Sequence, residues 1–546
     1  MKSLQNTCKH PAITGLILLT VTFAVYRHMF THDFLINWDD NLYITANTDI
    51  NGFSVEHVRN VFTRFYVGNY APLHLISYMF DVSIWGFNPA GFALTNILLH
   101  FANGCMLYLV LLRMTGRKLP AVVAALIFLV HPVQVESVAW FSQRKNLLAL
   151  SFFLLSFICY RLFREHSGGK VRWFYAASLL LFCMSLLTKP MAIAFPLILI
   201  VHDFCFEYIG RFRQNVAVYF PFAALAAVFA VLAFISEGTG GRTGYLGGKA
   251  SIQFINMLPV LTKYLLLVMY PFNLNVIYNH PVKMAPDGEV VVGAMVLALF
   301  LFGWYTLYFR RRELFFWLAV SVLTFLPVAN IIPQVTLMHD RYLYFPMLGI
   351  SAVVGFGMQT SMERLTGKRR VVLVAMLCAV IAWLGFAAQR RVEVWQDAVS
   401  LWTDAVATAT AGMWFASDPN FVTGALAEAL ARKGNDLERH KHKEEAISYY
   451  FRALRYDAAE QNALYSLASL ALADGEIEES FRYADALTAN YLHDDRGFAL
   501  VSVIHFARGE VEKAQENARK ALDINPNNLN ARKVVDDIRR RAEGRH

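Results

Sequence analysis

Charge is scarce in this 546-residue chain: Asp, Glu, Lys and Arg make up only 17% of it, against 56% hydrophobic residues. Soluble domains carry about a quarter charged residues, so a water-soluble globular protein is excluded and a membrane-embedded one expected. Cysteine is scarce too. Cys8, Cys105, Cys159, Cys183, Cys205 and Cys378 lie in or beside apolar segments, no two form a C-x-x-C pair, and the polar C-terminal part has none. Neither a disulfide framework nor a zinc site is indicated. The glycine-rich Gly238-Thr239-Gly240-Gly241-Arg242-Thr243-Gly244 lacks the Lys-Ser/Thr ending of a phosphate loop and follows no strand pattern, so it reads as a flexible loop. The first apolar stretch, 11–30, is too long for a signal h-region and runs into Thr31-His32-Asp33 rather than a small-residue cleavage site, so it is expected to stay as a membrane helix. The membrane half shows no internal duplication of the kind transporters carry.

What is present is a ladder of apolar runs. Eleven segments approach the ~20 residues that cross hydrocarbon: 11–30, 90–112, 119–137, 146–163, 172–188, 190–206, 215–235, 289–309, 314–332, 343–360 and 371–389. The net charge of +9 sits in short Lys/Arg clusters between them, which is topological information rather than a nucleic-acid groove. Lys2 and Lys9, Arg113 with Arg117 and Lys118, Arg161 through Arg172, Arg211 with Arg213, Arg310 to Arg312, and Arg364 through Arg370 fall on alternate connections, as an inside N-terminus requires. The run at 258–271 is short, and counting it as a crossing would put Arg310-Arg311-Arg312 on the wrong face, so an external interfacial helix is expected there. The outer face then receives loops at 31–89, 131–146, 236–288 and 331–342 and the Lys189-Pro190 turn. Within the first loop, 72–86 has apolar residues at helical spacing (Leu73, Ile76, Met79, Phe80), consistent with an amphipathic surface helix.

After about residue 389 the composition turns polar. Ala473-Asp474-Gly475-Glu476-Ile477-Glu478-Glu479-Ser480 is echoed by Ala507-Arg508-Gly509-Glu510-Val511-Glu512-Lys513-Ala514, with Gly475 and Gly509 34 residues apart. Lys443-Glu444-Glu445-Ala446 lies one period earlier, and Ala453-Leu454 and Ala521-Leu522 are two periods apart. This is the tetratricopeptide period with small residues at packing positions. The sequence therefore predicts an all-α protein in two parts: a polytopic membrane domain over 1–389 with external loops at 31–89 and 236–288, and a tetratricopeptide α-solenoid over 390–546 on the non-cytoplasmic side.

Candidate chemistry gathers on the outer face. Asp39-Asp40, in Asn37-Trp38-Asp39-Asp40-Asn41-Leu42-Tyr43, puts two carboxylates at a membrane edge beside Trp38 and Tyr43 and near Asn47. They read as loop or capping residues, or as a general base acting on a hydroxyl. His131 and Glu136 end a span and either fix a helix terminus or serve a site. Arg144 and Lys145 stand on the outer face against the positive-inside bias, either as interfacial anchors or to hold an anionic, lipid-linked phosphate. His339-Asp340-Arg341-Tyr342 lies at another outer edge, where Arg341 either pairs with Asp340 or binds phosphate while His339 or the tyrosines hold a sugar. Asn96 and His100, four apart on one helix, read as a satisfied buried polar pair.

These pieces resemble the transmembrane and tetratricopeptide-repeat-containing protein O-mannosyltransferases and their bacterial relatives in the membrane glycosyltransferase C superfamily. The resemblance rests on Trp38-Asp39-Asp40 with Asn47-Thr48-Asp49, Pro72-Leu73 with Trp85-Gly86, Asn96-Ile97-Leu98-Leu99-His100, His131-Pro132-Val133 with Glu136 and Val138, and Asp340-Arg341-Tyr342-Leu343-Tyr344-Phe345-Pro346, in the family's order. Ala71, Phe92 and Gln143-Arg144-Lys145-Asn146 depart from its pattern. The resemblance implies an enzyme of glycosyltransferase C type that moves a sugar from a polyprenyl-phosphate carrier to a hydroxyl, Ser or Thr of an envelope protein, with inversion. A lipid or polysaccharide acceptor and a non-catalytic scaffold are the rival readings. Asp39 or Asp40 would be the base, or the ligand of a divalent metal in relatives that use one. Donor phosphate and sugar would fall to His131, Glu136, Arg144, Lys145, His339, Asp340, Arg341 and Tyr342, and the repeats would receive the acceptor protein. Cysteine usage favours a bacterial inner membrane with periplasmic repeats over the endoplasmic reticulum.

Overall fold

The computed structural model describes residues 11–166, 171–206, 212–239, 244–278, 280–334, 336–408, 420–542 and 544. Lys2, Cys8, Lys9, Lys170, Arg211, residues 240–243 of the glycine-rich loop and the side chain of Arg213 lie outside the description. Among the described residues the chain is helical and forms no strand, apart from one isolated bridge between Tyr66 and Asn69. It divides into two units, 1–417 and 418–546.

The first unit contains α1 (Pro11–Tyr26), α2 (Val55–Thr63), α3 (Pro72–Trp85), α4 (Pro89–Thr115), α5 (Lys118–Val130), α6 (Val135–Ala139), α7 (Arg144–Glu165) and α8 (Val171–Leu186). It continues through α9 (Phe195–Cys205), α10 (Phe212–Thr239), α11 (Ala250–Met269), α12 (Gly288–Arg310), α13 (Arg312–Phe325), α14 (Met347–Arg364), α15 (Gly367–Val394) and α16 (Ala398–Thr408). Among the described residues, seven helices are long and apolar enough to cross a membrane, or eight if the bent pair at 118–130 and 132–139 is one span. Their outward faces stay apolar: Leu299 is 71% exposed, Phe302 68% and Phe386 63%. Such surface is tolerable only in lipid, and this is an integral membrane protein.

Every expected span coincides with helix, but four fall short of the length and apolarity of a crossing. The segments at 172–188 and 190–206 become the short α8 and α9, interrupted where Lys189 is extended before Pro190. The segment at 314–332 gives α13 and one further turn at Leu326–Val328, with Pro327 at its start. That at 343–360 gives α14, whose small residues lower its apolarity because it is enclosed by other helices. A Cβ on Gly349 would lie 1.9 Å from the carbonyl oxygen of Trp317, so only glycine lets α13 and α14 approach.

The apolar run at 258–271 proves to be the second half of α11, which by length and composition could cross. It packs closely on α12, where a Cβ on Gly293 would lie 2.6 Å from the Leu258 carbonyl carbon, and connecting segments also meet it along its length. Tyr245, just before it, donates to the Ile331 carbonyl (3.4 Å), Asn256 accepts from the Lys283 N–H (2.8 Å), and Tyr264 Oη lies 3.0 Å from the His339 nitrogen and 3.2 Å from its carbonyl oxygen. The Val268 carbonyl then meets His131 (3.0 Å).

Helix α3 forms over the expected range, but its polarity is inverted relative to a surface helix. His74, Tyr78 and Asp81 face inward and are buried, whereas Phe80 and Ile84 are exposed. The buried face is polar because it serves Arg144, described below.

The unit boundary falls later than the change in composition at 389. Helix α15 runs on to Val394, and α16 folds back: Trp402 is fully buried, Asp404 accepts from Arg391 (2.6 Å), and Thr408 accepts from Asn275 (2.7 Å).

The second unit is a series of helices, α17 (Phe421–Arg439), α18 (Lys443–Tyr456), α19 (Gln461–Ala473), α20 (Ile477–Asn490), α21 (Asp495–Ala507), α22 (Val511–Ile524) and α23 (Leu529–Ala542). Each packs on its sequence neighbour through small residues, with Ala446, Ala453, Ala468, Ala484, Ala514, Ala518 and Ala521 fully buried. The turns repeat at the sequence period. Gly475 (φ +82°) and Gly509 (φ +79°) adopt the left-handed conformation that ends a helix, and Glu476 and Glu510 each donate 2.9 Å bonds back to Ala471 and His505.

Candidate active site

The first loop carries Asp39 and Asp40 to the ends of α5–α7. Its residues 41–45 form a π turn, and Asn47 anchors the exit by donating to the Tyr43 carbonyl (3.2 Å) and accepting from the Asp49 N–H (3.1 Å). Asp49 in turn accepts from Tyr66 (2.6 Å) and Asn60 (2.7 Å), which ties the loop's two arms together. Trp38 packs against Trp140 (5.8 Å between centroids) and Trp402 (5.1 Å), rather than anchoring at a lipid interface.

The two adjacent carboxylates have opposite environments. Asp40 is fully buried, and both oxygens are taken: one accepts the Leu35 N–H (3.0 Å), the other the Ser142 N–H (2.9 Å) and its hydroxyl. Burial pushes its pKa up to about 6, although the bonds from Ser142 and Leu35 work the other way. Asp40 is thus a clamp between the first loop and the turn before α7. Asp39 is half-buried and, among the described residues, accepts no hydrogen bond. It lies in the field of Lys145, Arg341 and Tyr43.

Arg144 and Lys145, also adjacent, diverge in the same way. Arg144 is fully buried and its guanidinium is held on every nitrogen: it pairs with Asp81, donates to Asn96 (2.7 Å), Phe92 O (3.2 Å) and Ser77 O (3.3 Å), and lies over the Tyr78 and Phe92 rings. Those partners come from α3 and α4, which explains the polar inner face of α3. Fully buried and held by four contacts, Arg144 is placed as a structural tie. Lys145 points toward the first loop, 3.4 Å from Tyr43 Oη and 4.9 Å from the centroid of its ring.

The turn before α14 supplies the third piece. Arg341 donates to Glu136 from its guanidinium (2.6 Å) and its backbone (2.8 Å), and its guanidinium carbon lies 5.3 Å from the Trp140 ring centroid. It does not pair with Asp340, which accepts from Tyr278 on the far side of the turn and whose pKa is pushed to about 8 by burial and by the Glu136 charge. Arg341 keeps 16% of its side chain exposed, so part of the guanidinium is available. His339 sits 3.8 Å from Glu136, and Tyr342 donates to Gln334 (2.8 Å). His131 is engaged on both ring nitrogens, with Val268 O (3.0 Å) and the Val133 N–H (3.4 Å), in a helix-terminus role. Asn96 and His100 are satisfied buried groups, held by Val138 O, Arg144, Tyr344 and Leu129 O.

Two residues join the site that the linear sequence did not single out as site residues. Lys189, in the break between α8 and α9, donates to Asn146, and its ammonium is held well below its ordinary pKa by burial and by the charges of Lys145 and Arg341. His74 lies edge-on to Tyr43 (5.2 Å); one ring nitrogen meets Tyr78 (2.7 Å), and burial with Lys145, Arg144 and Lys189 nearby keeps the ring neutral. Lys189 had a usable signal, an outer-face cation before proline; His74 had none.

The arrangement is therefore an open carboxylate facing Lys145, Arg341 and, next to them, Lys189. A divalent cation does not fit these donors. Asp40 has no free oxygen, Glu136 is bound to Arg341, Asp39 faces cations, and no group of three or more His, Cys, Asp or Glu among the described residues is placed to hold a metal.

No family model matches the sequence. The chain is 27% identical over 168 residues to protein O-mannosyl-transferase Tmtc1 of Drosophila melanogaster, covering 29% of this chain and 19% of that protein. It is 25% identical over 253 residues to protein O-mannosyl-transferase TMTC2 of Homo sapiens (43% and 30%), and 38% identical over 112 residues to human TMTC4 (18% and 15%). It thus spans less than a third of the length of these curated relatives. Among solved structures it is similar to ArnT from Cupriavidus metallidurans bound to undecaprenyl phosphate, with a TM-score of 0.42 and 16% identity over 84% of this chain and 79% of that one. It is also similar to the Archaeoglobus fulgidus oligosaccharyltransferase tethered with an acceptor peptide, with a TM-score of 0.37 and 12% identity over 79% and 58%.

Proposed function

We propose that this protein is a membrane glycosyltransferase of the C type that transfers a sugar from a polyprenyl-phosphate carrier to the hydroxyl of a Ser or Thr in an envelope protein. One observation carries the reading: at the edge of the helix bundle an unencumbered carboxylate, Asp39, faces a cluster of buried cations that has too few acidic partners. Among the described residues Glu136 engages Arg341, whereas the hydrogen-bonding partners of Lys145 and Lys189 are neutral, Tyr43 and Asn146. Buried charge of that kind is retained for an anion. The similarity of up to 43% of the chain to proteins named O-mannosyl-transferases supports the same class.

In this mechanism the carrier's isoprenoid chain lies in the bilayer, and its phosphodiester is bound by Lys145, Lys189 and Arg341. Asp39 takes the proton of the acceptor hydroxyl as its oxygen attacks the anomeric carbon. The bond from that carbon to the phosphate oxygen breaks, and polyprenyl phosphate leaves with the electron pair, its growing charge met by the three cations. One displacement inverts the anomeric configuration. Trp140 stacks beneath Arg341 and fixes its guanidinium. Asp40 and Arg144 act at one remove, holding the Asp39 loop and α3.

The helix-pair unit is of tetratricopeptide type in this reading and presents acceptor protein on the non-cytoplasmic side of a bacterial inner membrane. The test is transfer from a polyprenyl-phosphate-linked mannose in lipid nanodiscs, with and without residues 418–546. The full chain should glycosylate folded protein and short Ser/Thr peptides; the shortened chain should keep the peptide activity and lose the protein activity. No transfer and no donor hydrolysis by the full chain with any polyprenyl-phosphate sugar would refute the enzyme reading.

A further inference from the structure

The segment between the last long membrane helix and the repeats is built into the wall of the site. Helix α16 buries Trp402 completely, edge-on to Trp38, the residue before Asp39, at 5.1 Å and 78°. Trp38 meets Trp140, which stacks on Trp395 from the end of α15 at 5.6 Å and 24°. The Asp33 N–H donates to the Gln396 carbonyl (2.9 Å), so the first loop is also bonded to the start of this segment. At its far end Thr408 accepts from Asn275 (2.7 Å), and Arg391 reaches Asp404 (2.6 Å). Four tryptophans thus pack between 391–408 and the two site groups they adjoin, Asp39 through Trp38 and Arg341 through Trp140.

We infer that Trp402 is a positioning residue of the active site: α16 acts as a buttress that sets the distance of Asp39 from the cations through the Trp402–Trp38–Trp140 contact. The inference rests on the proposed transferase reading. Indole packing suits this role because a rigid, two-torsion side chain holds its neighbour at little entropic cost and prefers an edge-to-face geometry. Trp402 meets the first loop through Trp38, so its loss moves the carboxylate and keeps the carboxylate and cations themselves in the chain. A displacement of about 1 Å at a reacting group costs up to about a hundredfold in rate.

The experiment uses the full chain in nanodiscs with the peptide acceptor. Trp402→Ala should lower kcat by about tenfold to a hundredfold and leave the donor KM within about twofold, while Trp402→Phe, which restores a ring, should recover most of the rate. Thermal unfolding separates this from loss of fold. If Trp402→Ala unfolds, Trp402→Leu and the double-mutant cycle with Trp38→Phe take its place, and non-additivity in kcat is then the expected sign. A wild-type kcat in Trp402→Ala, additive effects in the cycle, or a rise in donor KM matching the fall in kcat overturns the positioning role. A wild-type chain without any transfer refutes the transferase reading, whatever Trp402 does.

Discussion

Replacing Asp39 by Asn removes a base and leaves a shape, so the effect separates chemistry from folding. The carboxylate accepts no hydrogen bond among the described residues and is only half-buried. Its loss should therefore change stability by about 0.5 kcal/mol or less, less than about 1 °C in the unfolding midpoint of a chain this large. Catalysis should suffer far more. A positioned general base contributes about a hundredfold to ten-thousandfold, equivalent to about 3–5.5 kcal/mol of barrier. Donor binding moves the other way, because removing the anion beside Lys145 and Arg341 leaves those cations less neutralised for phosphate. The expected signature is a collapse of kcat with an unchanged or lower donor KM and an unchanged melting curve, measured by radiolabelled transfer in nanodiscs. Full kcat in Asp39→Asn refutes the assignment. So does the reverse outcome, in which Asp40→Asn loses kcat without loss of stability while Asp39→Asn unfolds.

Three further outcomes follow from the same geometry. The folded pKa of Asp40, about 6 against an ordinary 3.8, means that the folded state binds this proton more tightly than the unfolded one. Its contribution to stability is full below about pH 4 and is lost as pH rises to about 6, and melting curves of Asp40→Asn should lack that slope. Arg144→Met leaves Asp81 charged and buried without its partner, at about 3–5 kcal/mol. A lower unfolding midpoint with the donor KM of the folded fraction unchanged is expected, and Asp81→Leu in the same chain should restore part of the loss. Lys189→Ala removes a charged donor worth about 1.5–3 kcal/mol to a bound phosphate, so the donor KM should rise about tenfold or more, and kcat should fall as well because the charge growing on the leaving phosphate loses one of its cations. Because burial and neighbouring cations depress its pKa, wild-type donor affinity should weaken as pH rises, and Lys189→Ala should flatten that dependence.

Features that depend on neighbours along the chain were legible without the fold. A run of apolar residues at hydrocarbon length is a membrane helix wherever it packs, and a 34-residue echo such as that of Gly475 and Gly509 is a helix-pair turn because φ near +80° admits glycine at no cost. The carboxylates and cations beside the apolar runs were also readable as candidates, since membranes do not keep such charges idly. The span count was less so. Gly349 lowers the apolarity of α14 for a packing reason that hydropathy does not weigh.

The roles inside each adjacent pair were decided only in three dimensions. Asp39 and Asp40 are equivalent in sequence; what distinguishes them is Ser142, which caps Asp40 from the turn before α7 and leaves Asp39 open. Arg144 and Lys145 are likewise equivalent until Asp81 and Asn96 arrive from α3 and α4 to engage the arginine. The sequence by itself determined the helical membrane class, the repeat period and the list of charges available to a site. Tertiary structure alone decided which of those charges are satisfied, because a hydrogen-bond partner is fixed by distance in space, and here the partners lie tens of residues away along the chain.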